Sequence, residues 1–377
     1  MSSILASVLF AFGAAVVLTW VVRKAAHGCG ILDCPDGVRK LHRSPIPLLG
    51  GVGVFGAWIF GVAVGSFFSP ASTSAHGALF EGIRSMTGGF GPSLFLAAGV
   101  VLVTGIIDDA VNLRPRWKLL GQTIAASILV GGGLALKRLW LFGFAVDLGW
   151  LGFVFGVVWL VGSMNSINML DGLDGLASTL GLGISLTLAW MAWLSGNPSL
   201  GLISLALAGS LAGFLVFNYP PASIYLGDSG SMLIGLLIGA VSLKESFMEP
   251  AAVALAAPLA VLALPICDGV EVVIRRWLKG RAIFSPDRGH IHHSLQRLGW
   301  SNQRILVAIC ALCATTGSAV ILSLYSRNEP IALAATLAVA IGCAATKLFA
   351  NRVPVTSLGA PALQFPQKSQ AHERKAA

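Results

Sequence analysis

The sequence predicts an all-α fold, a polytopic bundle of about eleven membrane-spanning helices. Three observations carry this. Hydrophobic residues make up 55% of the 377 positions and charged residues only 11%, where a soluble domain has about 25% charged residues. Apolar runs long enough to cross a bilayer core follow one another along the chain. The 45 glycines suit helices that pack closely in lipid.

Taken in order, the spans fall near 4–22, 46–68, 91–107, 119–136, 148–164, 176–195, 199–217, 229–243, 251–268, 305–324 and 331–348. The first run is followed by Arg23 and Lys24 and lacks a basic leader, so it reads as a spanning helix rather than a secretory signal. The segment 137–150 is the hardest to place, with Trp140 and Trp150 suiting an interface. Residues 1–350 read as a single transmembrane domain without an internal repeat. Residues 351–377 read as a polar, Pro-containing, disordered tail.

An odd number of spans puts the termini on opposite sides. The loops 23–45, 108–118, 165–175, 218–228 and 269–304, together with the tail, hold most of the 25 Lys and Arg residues. The positive-inside rule makes those loops and the C-terminus cytoplasmic and the N-terminus external. It also accounts for the net charge of +9 without a nucleic-acid partner, because the charges are not gathered on a soluble module. Every aspartate except Asp147 falls on the same cytoplasmic side, whereas Glu81, Glu245, Glu249 and Glu329 lie outside. Acidic residues contribute little to orientation, so a shared cytoplasmic site is the better explanation of the aspartates. The six cysteines sit in or beside apolar runs, which argues against a disulfide framework.

Four constellations carry chemistry. The first is Gly105-Ile106-Ile107-Asp108-Asp109, with Lys118 beyond it. Two adjacent acids at a helix end near lipid are expensive and mark function by default; a solvated helix stop is the plainer alternative. The second is Asn165-Ser166-Ile167-Asn168-Met169-Leu170-Asp171-Gly172-Leu173-Asp174-Gly175. Its polar residues recur every third position, near one face of a helical turn. Two Asn and two Asp with no Lys or Arg call for an external cation. The EF-hand is excluded because the loop lacks its position-12 glutamate. Mg²⁺ takes oxygen ligands and keeps substrate phosphates in its shell.

The third constellation is Phe217-Asn218-Tyr219-Pro220-Pro221, then Gly227-Asp228-Ser229-Gly230-Ser231, where Asp228 could equally be a simple N-cap. The fourth runs from Arg275-Arg276 to Ser285-Pro286-Asp287-Arg288-Gly289-His290-Ile291-His292-His293 in the longest cytoplasmic loop. Zinc would need a partner cysteine there and would leave the arginines unexplained. Arg and His donors aimed at a diphosphate fit better.

In order and spacing, from about Asp33 to Gly299, these motifs resemble the polyprenyl-phosphate N-acetylhexosamine-1-phosphate transferases, relatives of the phospho-MurNAc-pentapeptide translocase. The resemblance includes Asp33-Cys34-Pro35, Arg39-Lys40-Leu41-His42 and the stretch from Pro47 to Gly51. The Arg-Gly-His-Ile-His-His form is similar to the initiating enzymes rather than to the translocase. Asn112 stands where many members carry a third acid, so no catalytic role is expected of it.

The resemblance implies transfer of a sugar 1-phosphate from a UDP-sugar, GlcNAc by default, to undecaprenyl phosphate, with release of UMP and initiation of a surface glycan such as O-antigen or teichoic acid. It implies Mg²⁺, with Mn²⁺ able to substitute, held by Asp228 and Asn168. Asp174 would lie near the uracil, and Lys118, Arg288, His290, His292 and His293 would hold phosphate or sugar groups. Asp108 and Asp109 would face the polyprenyl phosphate. Asp171 joins them as a catalytic acid and Asn218 is expected among the substrate contacts. The expected setting is a bacterial inner membrane, with membrane lipids as neighbours and a homodimer left open. The same chemistry with another N-acetylhexosamine, phospho-MurNAc-pentapeptide transfer and secondary transport are the alternatives. A transporter should show repeated halves and a midplane site, whereas these acids crowd one interface.

Overall fold

The structure is a computed structural model that describes residues 2–34, 45–68, 89–136, 138–141, 144–245, 256–278, 280 and 289–352. The long helices are α1 (Ser2–Cys29), α2 (Gly50–Phe67), α3 (Phe90–Val111), α4 (Pro115–Leu129), α5 (Leu151–Leu170), α6 (Leu176–Leu194), α7 (Pro198–Asn218) and α8 (Gly227–Glu245). They are followed by α9 (Ala256–Val261), α10 (Ala263–Leu278), α11 (Ile291–Arg297), α12 (Asn302–Ser326) and α13 (Glu329–Arg352). Two short antiparallel hairpins complete the described residues: β1 (Leu32–Asp33) with β2 (Ile46–Pro47), and β3 (Arg138–Leu141) with β4 (Phe144–Asp147). The second hairpin occupies the stretch that the sequence left unplaced.

Among the described residues, eight helices are long and apolar enough to cross a membrane: α1, α2, α3, α5, α6, α7, α12 and α13. The other three expected spans take different forms. Residues 119–136 become α4 followed by a π-helical turn, Val130–Leu134, in which Gly133 has a φ of 111°. Residues 229–243 form most of α8, a regular helix that carries Asp228, Lys244 and Glu245 at its ends. Residues 251–268 hold a break between α9 and α10 at Leu262.

Helix α8 is the centre of the bundle. It is buried without interruption from Ser229 to Leu243 and packs against α2, α3, α5 and α6. Small residues let it do so. Gly235 and Gly239 face Met164 and Ser163 of α5 so closely that a methyl group would overlap them. Ser163 Oγ donates to Gly235 O at 2.8 Å and Trp159 Nε1 to Gly239 O at 3.0 Å. These are side-chain hydrogen bonds across helices, which supply cohesion in lipid where the hydrophobic effect does not. The start of α8 is held more tightly still. A Cβ at Gly51 would fall on the backbone of Gly230, and one at Gly105 on that of Ser229. Tyr225 N donates to Pro47 O at 2.8 Å, Gly50 N to Tyr225 O at 3.0 Å and Gly51 N to Leu226 O at 2.9 Å. The Pro47-to-Gly51 motif therefore serves as the seat for the loop that leads into Asp228.

Candidate functional site

The site forms where the last turns of α3 and α5 meet the first turns of α4 and α8. Helix α3 stops at Asn112, which adopts the left-handed conformation with φ 52° and donates its N–H to Asp108 O at 2.8 Å. Asn is one of the few non-glycine residues that tolerates this cap, so the residue that departs from the family pattern serves as a helix stop. Asp108 turns back over the stop. Its Oδ1 accepts the Leu113 N–H at 2.7 Å, and its Oδ2 lies 3.1 Å from Lys118 Nζ. Pro115 opens α4 at its first turn, a position where a missing N–H costs nothing, and Lys118 follows one turn later.

Lys118 is the hub. Its Nζ lies 3.1 Å from Asp108 Oδ2, 3.1 Å from Asn168 Oδ1 and 2.5 Å from Asp228 Oδ2. Asn168 is in the last turn of α5 and donates from Nδ2 to Asp228 Oδ1 at 2.5 Å and to Ser231 Oγ at 2.8 Å. One turn earlier on α5, Asn165 pairs with Gln122 of α4, donating from Nδ2 to Oε1 at 2.8 Å. Three oxygens from three helices thus surround one cationic centre, with the amide pair packed behind it.

The two adjacent acids separate. Asp109 points the other way and caps α8, accepting from Asp228 N at 2.7 Å, Ser229 N at 3.2 Å and Ser229 Oγ at 2.8 Å. Gly227, with φ 73°, lies against this carboxylate so closely that a Cβ would collide with it. Both Asp109 oxygens are engaged in fixing the helix start. A lipid-phosphate contact, as expected for it from the sequence, would have to break that cap.

The 171–175 loop borders the hub. Asp174 Oδ2 accepts the Ala222 N–H at 3.0 Å, tying this loop to the one before α8. Asp171 is partly buried. Burial, followed by the negative charges of Asp228, Asp109 and Asp174, raises its pKa from 3.8 to about 8. Asn218 is joined to this loop through Gly175. It is 4% exposed; its Oδ1 accepts from Gly175 N at 3.1 Å and Ser178 Oγ at 3.0 Å, and its Nδ2 donates to Ile224 O at 3.0 Å. Its amide braces the two loops on either side of it.

The histidines close the site. His292, on α11, is buried, and its Nε2 lies against Gly172 so closely that a Cβ there would be 2.7 Å away. Burial first, and then the neighbouring His293 and His290, lower its pKa to about 3, so the ring is neutral at pH 7. The His290 and His292 rings lie parallel, with centroids 5.8 Å apart and an interplanar angle of 4°. The His293 ring lies against that of His292, tilted by 46° with centroids 4.2 Å apart, and its Nδ1 meets Gln296 Oε1 at 3.3 Å. His290 is buried against Asp268, which lies 2.7 Å away. Arg288, and the residues 35–44 of the first motif, lie outside the described residues.

Of the sequence-predicted residues, Lys118, Asp108, Asn168 and Asp228 therefore meet directly. Asp171 and Asp174 border them, and His292 reaches the same loop through Gly172. Sequence reasoning missed Gln122, Ser229, Asp268 and Lys347. The last two carried a legible signal, since an acid and a lysine inside apolar runs are costly unless paired.

The residues 92–246 match the family model described as glycosyl transferase family 4. The chain is 30% identical over 302 residues to a Bacillus subtilis protein named "Probable undecaprenyl-phosphate N-acetylglucosaminyl 1-phosphate transferase", covering 78% of this chain and 77% of that one. It is 31% identical over 321 residues to the decaprenyl-phosphate N-acetylglucosaminephosphotransferase of Mycobacterium tuberculosis, covering 77% and 75%. It is 28% identical over 316 residues to the undecaprenyl-phosphate alpha-N-acetylglucosaminyl 1-phosphate transferase of Escherichia coli, covering 82% and 80%. With likeness sustained over most of each relative and the matched segment containing the Asp108–Lys118–Asn168–Asp228 hub, the chain belongs to glycosyl transferase family 4.

Proposed function

We propose that the protein transfers N-acetylglucosamine 1-phosphate from its UDP-linked form to undecaprenyl phosphate, releasing UMP, at the cytoplasmic face of a bacterial inner membrane. The observation that carries the reading is the convergence of Asp108 Oδ2, Asn168 Oδ1 and Asp228 Oδ2 on one cationic centre, two of them from the ends of the apolar helices α3 and α5. A lipid-borne phosphate can reach such a place without leaving the bilayer. The names of the relatives supply the substrates: each is named for an N-acetylglucosaminyl phosphate transfer to a polyprenyl phosphate.

The same oxygens fit Mg²⁺. Among the described residues, no group of three or more His, Cys, Asp and Glu side chains could hold a metal. Mg²⁺ does not need one, because it is usually bound by one or two carboxylates, with waters and substrate phosphates filling its octahedral shell. Asp228 and Asn168 would hold it, and when bound it would neutralise charge building on the diphosphate.

The chain's own groups account for the rest. Lys118 offers its ammonium to the diphosphate oxygens. His292, neutral and buried beside Gly172, and His290 next to it present imidazole nitrogens to phosphate or sugar hydroxyls. Asp108, held by Leu113 N–H and Lys118, orients the lipid phosphate or takes its remaining proton. A strong base is unnecessary, because a phosphate monoester with a second pKa near 6 is already largely dianionic at pH 7. The lipid phosphate oxygen attacks the sugar-bearing phosphorus, and the bond to UMP breaks in the same displacement.

In this reading α4 with its π turn, α8 and the broken pair α9–α10 also lie within the bilayer, which brings the eight apolar helices to the eleven expected. The N-terminus is then external and the C-terminus cytoplasmic. The test is purified protein in detergent with undecaprenyl phosphate, Mg²⁺ and a panel of UDP-sugars. UMP release with UDP-N-acetylglucosamine, dependent on the lipid, is expected. Absence of UMP with every sugar of the panel overturns the assignment.

A further inference from the structure

Behind the histidines lies a second charged cluster that the displacement itself does not use. Asp268, on α10, is 0% exposed. Its Oδ2 lies 2.7 Å from His290 Nδ1, and its Oδ1 accepts the Ile291 N–H at 2.8 Å and a contact from Lys347 Nζ at 2.7 Å. Lys347 is on α13, the last described helix, and is 3% exposed. Its Nζ also donates to Glu271 Oε2 at 2.8 Å, and Glu271 Oε1 in turn lies 3.7 Å from Arg275 Nη1. Arg275 packs against Gly289, where a Cβ would fall on the guanidinium.

We propose that Asp268, neutralised by Lys347, is a positioning residue that fixes the ring and the backbone of His290 for the transfer reaction. Three physical points support it. A carboxylate with no exposure needs a compensating charge, and Lys347 supplies one from the last turns of α13. A lysine within a spanning segment is costly in its own right and is kept where it has a buried acid to meet. The two Asp268 oxygens also do separate jobs. One holds the His290 ring, so that Nδ1 carries the proton and Nε2 is left to accept or, in the imidazolium, to donate. The other grips the N–H that begins α11, so the carboxylate sets the register of the segment carrying His292 as well. The arrangement joins the end of the last helix to the histidine loop, and Asp268, His290 and Lys347 all lie outside the matched residues 92–246.

The proposal rests on the transferase reading for what His290 touches, and the experiment separates the two. Turnover is measured for Asp268→Asn, His290→Ala and the double variant, and for Lys347→Arg and Lys347→Met, with ¹⁵N-histidine NMR of the folded protein in parallel. Asp268→Asn should lower kcat by about 10–100-fold, as loss of a partner that orients a functional imidazole does, with KM for the UDP-sugar little changed. In the His290→Ala background it should cost nothing further, because the two residues act as one unit. Lys347→Arg should keep activity and Lys347→Met should lose it. If Lys347→Met does not fold, the Asp268→Asn/Lys347→Met pair removes both buried charges and restores folding without restoring turnover. Equal, additive losses from Asp268→Asn in both backgrounds would reduce the cluster to a packing device and overturn the proposal. So would an Nδ1–H signature of His290 that Asp268→Asn leaves untouched. Failure of the wild type to turn over any UDP-sugar sinks the transferase reading instead, and the NMR signature still decides the clamp.

Discussion

The carboxylate of Asp109 accepts the backbone N–H of Asp228 at 2.7 Å, so one acid of the adjacent pair sets the position of the acid across the site. Asp108, its immediate neighbour, faces Lys118 instead. Adjacent residues on a helix point about 100° apart, and here that rotation turns one carboxylate to the start of α8 and the other to Lys118.

Asp109→Ala is expected to destabilise the protein by about 0.5–2 kcal/mol, the range for loss of an N-cap, and to lower turnover by displacing Asp228. Thermal unfolding in detergent checks the first part. An unchanged melting temperature would mean that the cap contributes nothing.

Asp228→Ala should abolish turnover while the protein stays folded in the membrane, because it removes a carboxylate oxygen from the hub and from the proposed Mg²⁺ site. Near-normal activity at limiting Mg²⁺ would refute this assignment.

Asp108→Asn should keep UDP-sugar binding but slow turnover, and the loss should shrink as pH rises, since the lipid phosphate then loses its second proton unaided. A covalent aspartyl intermediate makes the opposite forecast: no recovery at any pH, and a burst of UMP equal to the enzyme concentration without lipid acceptor. Quenched flow separates the two.

Asp171 makes the metal-free protein pH-sensitive. Its pKa is raised from 3.8 to about 8 in the folded state, so between those values the folded protein holds a proton that the unfolded chain has released. Stability from this group therefore falls as pH rises through that window. Asp171→Asn should flatten the decline in melting temperature between about pH 4 and 8. An identical pH slope in the variant would contradict the assignment.

The topology is tested by impermeant thiol labelling on a background without the native cysteines. Trp150→Cys, at a position 74% exposed, should label in intact cells, whereas Trp300→Cys, at a position 41% exposed, should label only after permeabilisation. The reverse pattern would invert the orientation.

Much of this was legible because lipid imposes simple rules. Eight apolar runs are long helices, and the polar motifs on one side of the bundle supply the hub. What was not legible depended on which way a side chain turns. Asn218 sits in a motif beside Tyr219 and Pro220, but backbone groups of two loops claim its amide. Asp109 cannot be told from Asp108 until the helix phase is known. Lys347 counted only toward orientation, because its partner Asp268 is distant in sequence and the contact exists only once α10 and α13 pack. The hairpin at residues 138–147 was hidden by apolar residues that suit a strand or a short interfacial helix equally.

The seating of α8 on bare backbone at Gly51 and Gly105 has a consequence for how the sequence can drift. At both positions a side chain of any size would have to displace the first turn of α8, and Asp228 with it. Variation is then expected to gather on surfaces where side chains can change size without shifting a helix.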